Sequence, residues 1–401
     1  MDFPEDAHAI GSRGIQIFPF GASPNSFIDS FLLPIEKRGI DMSKEVYKQL
    51  RSHFHKHPLG FPETESAIEL KILQRLFSEE EAEMALQLTP KPETAKSLSI
   101  RLHKEFKELD LLLERMAGKG QILTLGQKEN RAYLLVPYVP GVWEFQVNRM
   151  DRGFAGDVEA YYPSQAKEMY SSATPPLRVV PVEKNIPGAL KVFPFEVASE
   201  IVKGAKKIAL SDCICRKHKK LIGKGCHRPH EQVCMYLSPL AEYFIEQGWG
   251  KEASVDDALR AIERGEQAGL VRISWMNVQK GPTGLCQCCP CCCHTLHAVY
   301  GLRIPKALAK SNFVPIIDLE QCTGCESCVD ICPMDALALD GNKVAWNPAR
   351  CIGCGLCVSE CATGSIKLER VVEEQVVVPP ETYSTLMTVI AHEKDKTYFY
   401  K

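Results

Sequence analysis

The sequence predicts a multidomain protein of the α+β class. With 401 residues, the chain is long enough for two or three domains that each bury a core. Between residues 63 and 117, apolar residues recur at helical spacing, and a short hairpin pattern follows them. All 18 cysteines lie in the second half of the chain, in two separate groups. The expected organisation is a helical domain near the N-terminus followed by two cysteine-rich domains.

Composition and charge exclude several classes of protein. Hydrophobic residues make up 45% and charged residues 24% of the chain, which is ordinary for a soluble globular protein. The net charge of −2 gives no general attraction to nucleic acid or anionic membranes. Residues 1–6 are acidic, so no signal peptide is expected, and no apolar stretch approaches the ~18 residues that cross a bilayer. Tightly clustered cysteines favour metal-binding thiolates over disulfides. Because oxygen damages exposed metal centres of low potential, an anaerobic cytoplasm is the expected setting.

The first 62 residues are predicted to be an N-terminal arm and a helix. Residues 1–40 carry prolines, glycines and serines among scattered aromatics, which favours an irregular arm. A helix is expected to begin near Ser43 and to end before residues 53–62. The alternating His53, His55 and His57 in that stretch favour a solvated loop, with metal binding as the alternative.

Residues 63–145 are predicted to form a domain of four helices and a hairpin. Ser78 and Glu81 have the spacing of a capping box, in which each side chain binds the other residue's backbone N–H. Gly118 and Gly120 end the last helix. The predicted elements are helices at 67–76, 78–88, 93–102 and 104–117, and strands at 121–125 and 132–136.

The last three of these helices and the hairpin resemble a winged-helix domain. This resemblance implies DNA binding through the helix before the hairpin. Residues 103–120, however, hold four basic and four acidic side chains, whereas DNA binding needs a basic excess. Nucleic-acid binding is therefore not expected, and the domain is interpreted as a scaffold or protein-docking surface. A redox-sensing transcription regulator remains an alternative function.

The middle domain, residues 146–313, is predicted to be a mixed cysteine-rich domain. A helix is expected around Asp157–Tyr170, a short strand at 178–182, and two amphipathic helices at 237–248 and 254–269. On an extended backbone, the two cysteines of a C-x-C pair project from the same side and can reach one centre. The ten candidate metal ligands are Cys213, Cys215, Cys226, Cys234, Cys286, Cys288, Cys289, Cys291, Cys292 and Cys293.

Three hypotheses compete for these ten thiols, because ten exceed what one tetrahedral ion or one iron–sulfur cube binds. The first is one or two additional iron–sulfur centres. The second is a structural zinc bound by Cys213, Cys215, Cys226 and Cys234, and the third is a thiol–disulfide site in 286–293. Three roles are open for the basic run 216–220. It would lower the pKa values of nearby thiols and offset the charge of a cluster, or it would bind a phosphate-bearing substrate or an acidic partner. The third alternative is a solvated loop.

Residues 322–361 contain two copies of the spacing C-x2-C-x2-C-x3-C. Glycines in each copy permit tight turns and a close approach of backbone N–H groups to sulfur. Zinc knuckles are the alternative, and they are disfavoured by the two complete copies and by Pro333 after Cys332. Residues 314–370 resemble the clostridial-type ferredoxin with two [4Fe-4S] clusters, although Ala362 replaces the second proline. This resemblance implies two short hairpins, two short helices and one-electron transfer at low potential.

In such ferredoxins, the fourth cysteine of each run binds the cluster of the other run. The expected ligands of cluster one are Cys322, Cys325, Cys328 and Cys361. Those of cluster two are Cys351, Cys354, Cys357 and Cys332. A strand or extended segment at 371–378 and a closing helix at 381–393 follow.

The sequence thus predicts an iron–sulfur electron-transfer protein, a partner or subunit of an anaerobic oxidoreductase within a larger complex. An enzyme hypothesis remains open, in which the middle domain is the active site of a reductase. Residues 315–370 hold eight acidic and four basic side chains, so the redox partner is expected to present a basic docking patch. The predicted domains are 1–62, 63–145, 146–313, 314–372 and a tail at 373–401.

Overall fold

The fold is a mixed α/β arrangement, which the computed structural model describes for residues 45–188 and 192–397. The arm predicted at 1–40 and the acidic start of the chain lie outside the described residues. Within the described ranges, no helix is long and apolar enough to cross a membrane.

The N-terminal helices and their small sheet closely follow the predicted elements. Ser78 caps its helix as expected, since its hydroxyl accepts the N–H of Glu81 at 3.3 Å and the Glu81 carboxylate accepts the N–H of Ser78 at 2.9 Å. The three short strands form an antiparallel sheet of order β1–β3–β2. The elements are α1 (Glu45–His55), α2 (Ile68–Leu76), α3 (Glu79–Leu86), β1 (Glu93–Thr94), α4 (Ala95–Leu102), α5 (Phe106–Gly118), β2 (Leu123–Leu125) and β3 (Ala132–Leu134). Membership of the winged-helix family stays a prediction.

The three alternating histidines do not form a solvated loop, and that prediction was wrong. His53 and His55 lie within α1, and His57 follows it at 5% exposure. The Nε2 atom of His53 lies 2.8 Å from the carbonyl oxygen of Leu88. Burial lowers the pKa of His57 to about 3, so this ring is neutral at physiological pH. These histidines are packing residues because the tertiary fold covers the end of α1.

An ordered connector joins this region to the middle domain. Trp143 and Phe145 are buried. Phe61, just after α1, contacts the rings of Phe54, Tyr138 and Tyr161 at centroid distances of 5.8, 4.8 and 4.9 Å. The long helix α6 (Arg152–Met169) follows the connector and packs against α2.

A six-stranded antiparallel sheet of order β4–β8–β9–β6–β5–β7 forms the centre of the middle domain. Side chains alternate between its faces, as they must on pleated strands. One face packs apolar residues, including Met235 and Leu285, against α7 and α10. The opposite face presents Cys234, Cys286 and Cys288. The elements are β4 (Leu177–Val180), α7 (Ala198–Lys203), β5 (Ile208–Ser211), α8 (Ile214–Leu221), β6 (Cys234–Leu237), α9 (Leu240–Glu246), β7 (Lys251–Glu252), α10 (Val255–Gln267), β8 (Val271–Trp275), β9 (Gly284–Cys288) and α11 (His294–Tyr300).

The C-terminal cysteine runs lie in a small module of two antiparallel strand pairs and two short helices. The pairs are β10 with β13 and β11 with β12, which is the arrangement that the ferredoxin resemblance implies. The predicted closing helix is present and buries Leu386, Met387 and Ile390. The elements are β10 (Phe313–Ile317), α12 (Ser327–Asp330), β11 (Leu337–Asp340), β12 (Lys343–Trp346), α13 (Leu356–Ser359), β13 (Ile366–Arg370) and α14 (Tyr383–Glu393).

Candidate metal centres

The register of two strands brings distant cysteines together in the middle domain. Cys234 on β6 lies directly opposite Cys286 on β9, and their sulfurs are 4.0 Å apart. Cys288 is two residues farther along β9 and therefore projects from the same face. The prediction that this C-x-C pair reaches one centre is consistent with this placement.

Two helix N-termini complete the group. Cys213 caps α8, Cys215 lies in its first turn, and Cys293 caps α11. Each sulfur interacts with the next in a closed cycle. We call this group the six-cysteine ring; in order around the cycle it comprises Cys213, Cys234, Cys286, Cys288, Cys293 and Cys215. All six sulfur-bearing residues line a cavity of about 60 Å³.

A buried guanidinium beside the ring indicates that this cavity suits a negatively charged group. Arg216 is 4% exposed and lines the cavity. It donates one hydrogen bond to the carbonyl oxygen of Gln287 at 3.1 Å, but its Nε and second terminal nitrogen have no protein partner. Trp275 also donates its indole N–H to the Cys286 sulfur at 2.5 Å. An anionic thiolate cluster would satisfy the guanidinium, and N–H donors to sulfur are typical of such clusters.

The thiols of the ring have divergent proton affinities. Hydrogen bonds from Cys215 and Cys234 hold the pKa of Cys213 well below its usual range, and Arg216 adds to this effect. Hydrogen bonds from Cys215 and Cys288 likewise lower the pKa of Cys293. Neighbouring thiolates raise the pKa of Cys215. Six crowded thiols can therefore not all ionise unless a metal supplies compensating positive charge.

The cavity is also lined by Trp143, Glu144 and His294, which the sequence analysis did not select. Glu144 lines the cavity, and burial raises the pKa of its carboxyl group to about 8. The ring of His294 stacks on Trp143 at 4.7 Å, and its Nε2 lies 3.1 Å from Nδ1 of His218. Burial lowers the pKa of His218 to about 4. The sequence gave no signal of this role for Trp143 or Glu144, whereas His294 adjoins the cysteine run and His218 lies within the basic run 216–220.

The remaining four cysteines of the middle domain form a separate group. Cys289, Cys291 and Cys292 occupy the turn between β9 and α11, and Cys226 approaches them from the loop after α8. We call this group the four-cysteine site. The zinc set predicted from sequence is corrected here, because Cys226 lies with these three residues and not with Cys213, Cys215 and Cys234.

The basic run at 216–220 is not a solvated loop, and that alternative is also corrected. It forms most of α8. Arg216 faces the six-cysteine ring, as described above. Lys219 is buried and binds both carboxylate oxygens of Glu159, at 2.8 and 2.6 Å. Of the hypotheses for this run, the offset of thiolate charge is the one that fits Arg216.

The two ferredoxin runs surround two small cavities of about 20 Å³ each. Each cavity is lined by three cysteines of one run and the fourth cysteine of the other, which is the pattern expected from the crossed ligand rule. We call them the outer and inner cavities. The outer cavity is lined by Cys322, Cys325, Cys328 and Cys361. The inner cavity is lined by Cys332, Cys351, Cys354 and Cys357.

Glycines shape the loops around both cavities, as predicted. Gly324 and Gly353 have φ angles of +71° and +69°, in the left-handed region that favours glycine. A Cβ atom at Gly353 would lie 2.2 Å from the carbonyl oxygen of Phe313. Burial raises the pKa of Cys354 to about 12, so its thiolate needs a bound cation at neutral pH. These features fit an iron–sulfur cluster in the inner cavity.

The inner cavity adjoins the middle domain. The backbone N–H of Val182, two residues after β4, donates to the carbonyl oxygen of Cys354 at 3.0 Å. Asn185 donates its side-chain amide to the carbonyl oxygen of Gly355 at 3.0 Å. The outer cavity lies farther out, since Cys325 is exposed.

Comparison with known proteins identifies one part of the chain. The sequence profile of the 4Fe-4S dicluster domain matches residues 314–362. This region is an iron–sulfur, ferredoxin-like module. No curated protein and no solved structure matches the chain.

Proposed function

We propose that the chain is an electron-transfer protein that serves an oxidoreductase of anaerobes. Electrons enter at a [4Fe-4S] cluster in the outer cavity, pass to a second cluster in the inner cavity, and continue to a third iron–sulfur centre in the six-cysteine ring. The buried, incompletely bonded guanidinium of Arg216 beside six thiols is the observation that carries the third centre.

Exposure and charge support entry at the outer cluster. Cys325 is solvent-exposed, and Glu320 and Glu326 near it are exposed as well. A reduced cluster adds negative charge to this surface. A redox partner with a basic patch would therefore be steered toward the outer cluster, at a rate that falls with ionic strength.

Direct backbone contact supports transfer from the inner cluster to the middle domain. The hydrogen bond from Val182 to Cys354 joins a ligand loop of the inner cavity to the segment that continues from β4. Strand β4 pairs with β8, and β8 pairs with β9, which carries Cys286 and Cys288. The sheet thus gives the inner cluster a rigid, packed connection to the ring.

Metal analysis of anaerobically purified full-length protein tests the proposal. Two cubes contain eight irons, so a third iron–sulfur centre with four or more irons raises the total to about twelve or higher. Replacement of both Cys286 and Cys288 by serine is expected to remove the additional iron and to leave about eight. A wild-type protein that already contains only eight irons would refute the third centre, and an iron-free protein would refute the whole proposal.

A reductase is the second candidate, in which the ring and its cavity form an active site. The observation that favours it is the carboxyl group of Glu144, which lines the same cavity and stays protonated at neutral pH. A reduction that consumes protons needs such a donor. Turnover of organic disulfides by the isolated protein with a chemical reductant would support this candidate, and Glu144→Gln should then lower the rate without changing the iron content.

A transcription regulator finds less support. Two of the four cations in residues 103–120 are engaged in ion pairs, since Arg115 binds Glu80 at 2.5 Å and Lys119 binds Glu81 at 2.6 Å. Leu111 on α5 is 70% exposed, and the exposed Glu105 and Glu108 offset the exposed Lys107, so α5 offers no basic surface. We expect no gel retardation of genomic DNA fragments by reduced or oxidised protein, and retardation in either state would revive this function.

A further inference from the structure

The four-cysteine site has the dimensions of a site for a single metal ion. The sulfur of Cys226 lies 3.9 Å from that of Cys289 and 3.6 Å from that of Cys292. All four sulfurs, including that of Cys291, lie within 4.8 Å of one another. A tetrahedral zinc ion with Zn–S bonds of about 2.3 Å places its sulfurs about 3.8 Å apart. The observed separations match this value.

The ferredoxin cavities provide an internal comparison. Within residues 45–188 and 192–397, two groups bring three or more potential metal-ligand atoms within 4.8 Å of one another. One is the four-cysteine site, and the other is Glu159 with His218 and His294. The cysteine quartets of the inner and outer cavities are wider. This difference is expected because the four ligands of a cube bind four different irons, whereas those of a single ion share one centre.

We propose that the four-cysteine site binds one structural zinc ion, with Cys226, Cys289, Cys291 and Cys292 as its ligands. Binding releases the thiol protons to solvent and transfers no electron. Four thiolates around one divalent ion leave a negative site, and Arg228 lies beside it, with a guanidinium nitrogen 3.9 Å from the Cys291 sulfur. A closed set of four protein ligands is typical of structural rather than catalytic zinc.

The position of the site in the chain indicates what the ion does. Three of its ligands lie between Cys288 and Cys293, which both belong to the six-cysteine ring. The turn also closes through a hydrogen bond from the N–H of Cys293 to the carbonyl oxygen of Cys289 at 3.0 Å. Zinc would anchor this turn to the loop that carries Cys226. The ion thereby fixes the two ring cysteines that flank the turn without taking part in electron transfer.

The experiment is elemental analysis of the full-length chain, purified anaerobically from cells supplied with both iron and zinc. We expect about one zinc per wild-type chain. Cys226→Ser should lower zinc below about one fifth of that value, whereas Cys234→Ser, which alters the ring, should leave zinc unchanged. Equal loss of zinc in both variants, or loss of about four irons from Cys226→Ser, would overturn the proposal.

A second measurement does not depend on any variant. Zinc X-ray absorption of the wild-type protein should give four sulfur neighbours at about 2.3 Å. A shell with nitrogen or oxygen ligands, or an iron atom in place of zinc, would overturn the assignment. This test is independent of the proposed electron-transfer function, because zinc could occupy its site whether or not the ring binds iron.

Discussion

Ser365 offers a quantitative test of the outer cluster. Its hydroxyl oxygen lies 3.2 Å from the Cys361 sulfur, and the residue is 4% exposed. A cysteine bound to iron has no proton, so the hydroxyl must be the donor. Reduction adds an electron to the cluster and strengthens this hydrogen bond. The serine should therefore stabilise the reduced state and raise the midpoint potential.

The size of the effect follows from hydrogen-bond energies. A hydrogen bond to a charged group contributes about 1.5–3 kcal/mol, and only the part that differs between the two redox states shifts the potential. With a difference of about 1 kcal/mol, Ser365→Ala should lower the midpoint potential of the outer cluster by about 40 mV, since ~1.4 kcal/mol corresponds to ~59 mV for one electron.

A redox titration followed by electron paramagnetic resonance measures this shift. Thr363→Ala is the matched control, because its hydroxyl lies farther from the same sulfur, at 3.7 Å, on an exposed residue. The control should shift the potential by less than about 15 mV, in keeping with a weak, solvated contact. An unchanged or raised potential in Ser365→Ala, with the iron content retained, would refute the reasoning.

Three further predictions concern the middle domain and the core. Arg216→Met should lower the midpoint potential of the ring centre by more than about 60 mV or prevent the centre from assembling. Lys217→Met, at a half-buried residue whose ammonium group pairs with Asp212, should do neither. Metal analysis and redox titration measure both outcomes. Phe61→Ala should reduce the free energy of unfolding by about 3–5 kcal/mol in anaerobic urea titrations, because it empties a site among three aromatic rings. Glu144 has a raised pKa of about 8, so its protonated form stabilises the fold at low pH. This stability is lost as pH rises from the carboxyl group's ordinary pKa toward 8. Between pH 6 and 8, the free energy of unfolding of the wild type should therefore fall by about 2 kcal/mol more than that of Glu144→Gln, as measured by urea titrations at both pH values.

The C-terminal module was the most predictable part because its ligands are local in sequence. Spacing alone places three cysteines of a run around one loop, and Gly324 supplies the left-handed turn that the loop needs. The crossed fourth cysteine follows from the two-copy arrangement. Nothing in this prediction required knowledge of contacts between distant segments.

The six-cysteine ring could not be predicted, because strand register creates it. Cys234 and Cys286 are far apart in sequence and meet only because β6 pairs with β9. The alternation of a strand correctly grouped Cys286 with Cys288. The same argument grouped Cys213 with Cys215, and both lie in the ring. Cys213, however, stands at the N-terminus of helix α8 and not on an extended strand, so strand alternation is not the reason that this pair meets.

The split of the crowded run 286–293 illustrates the same limit. The sequence shows that six cysteines in eight residues cannot all bind one cluster, but it does not show which of them turn away. The turn that contains Pro290 brings Cys289, Cys291 and Cys292 together with Cys226, and Cys289 also lines the cavity of the ring. The loop that carries Cys226 follows α8, and its position decides which cysteines of the run join Cys226.

The three proposed redox centres differ in how exposed their cysteine ligands are, and this difference predicts their order along the electron path. Electron exchange with another protein needs an exposed edge, which the outer cluster has at Cys325. None of the ring cysteines is exposed, so a large partner cannot approach that centre directly. The inner cavity adjoins the middle domain, since the carbonyl oxygen of Cys354 accepts a hydrogen bond from the segment after β4. If the ring holds a redox centre, as proposed, it would exchange electrons with partner proteins through the ferredoxin module, and its own cavity would admit only small molecules.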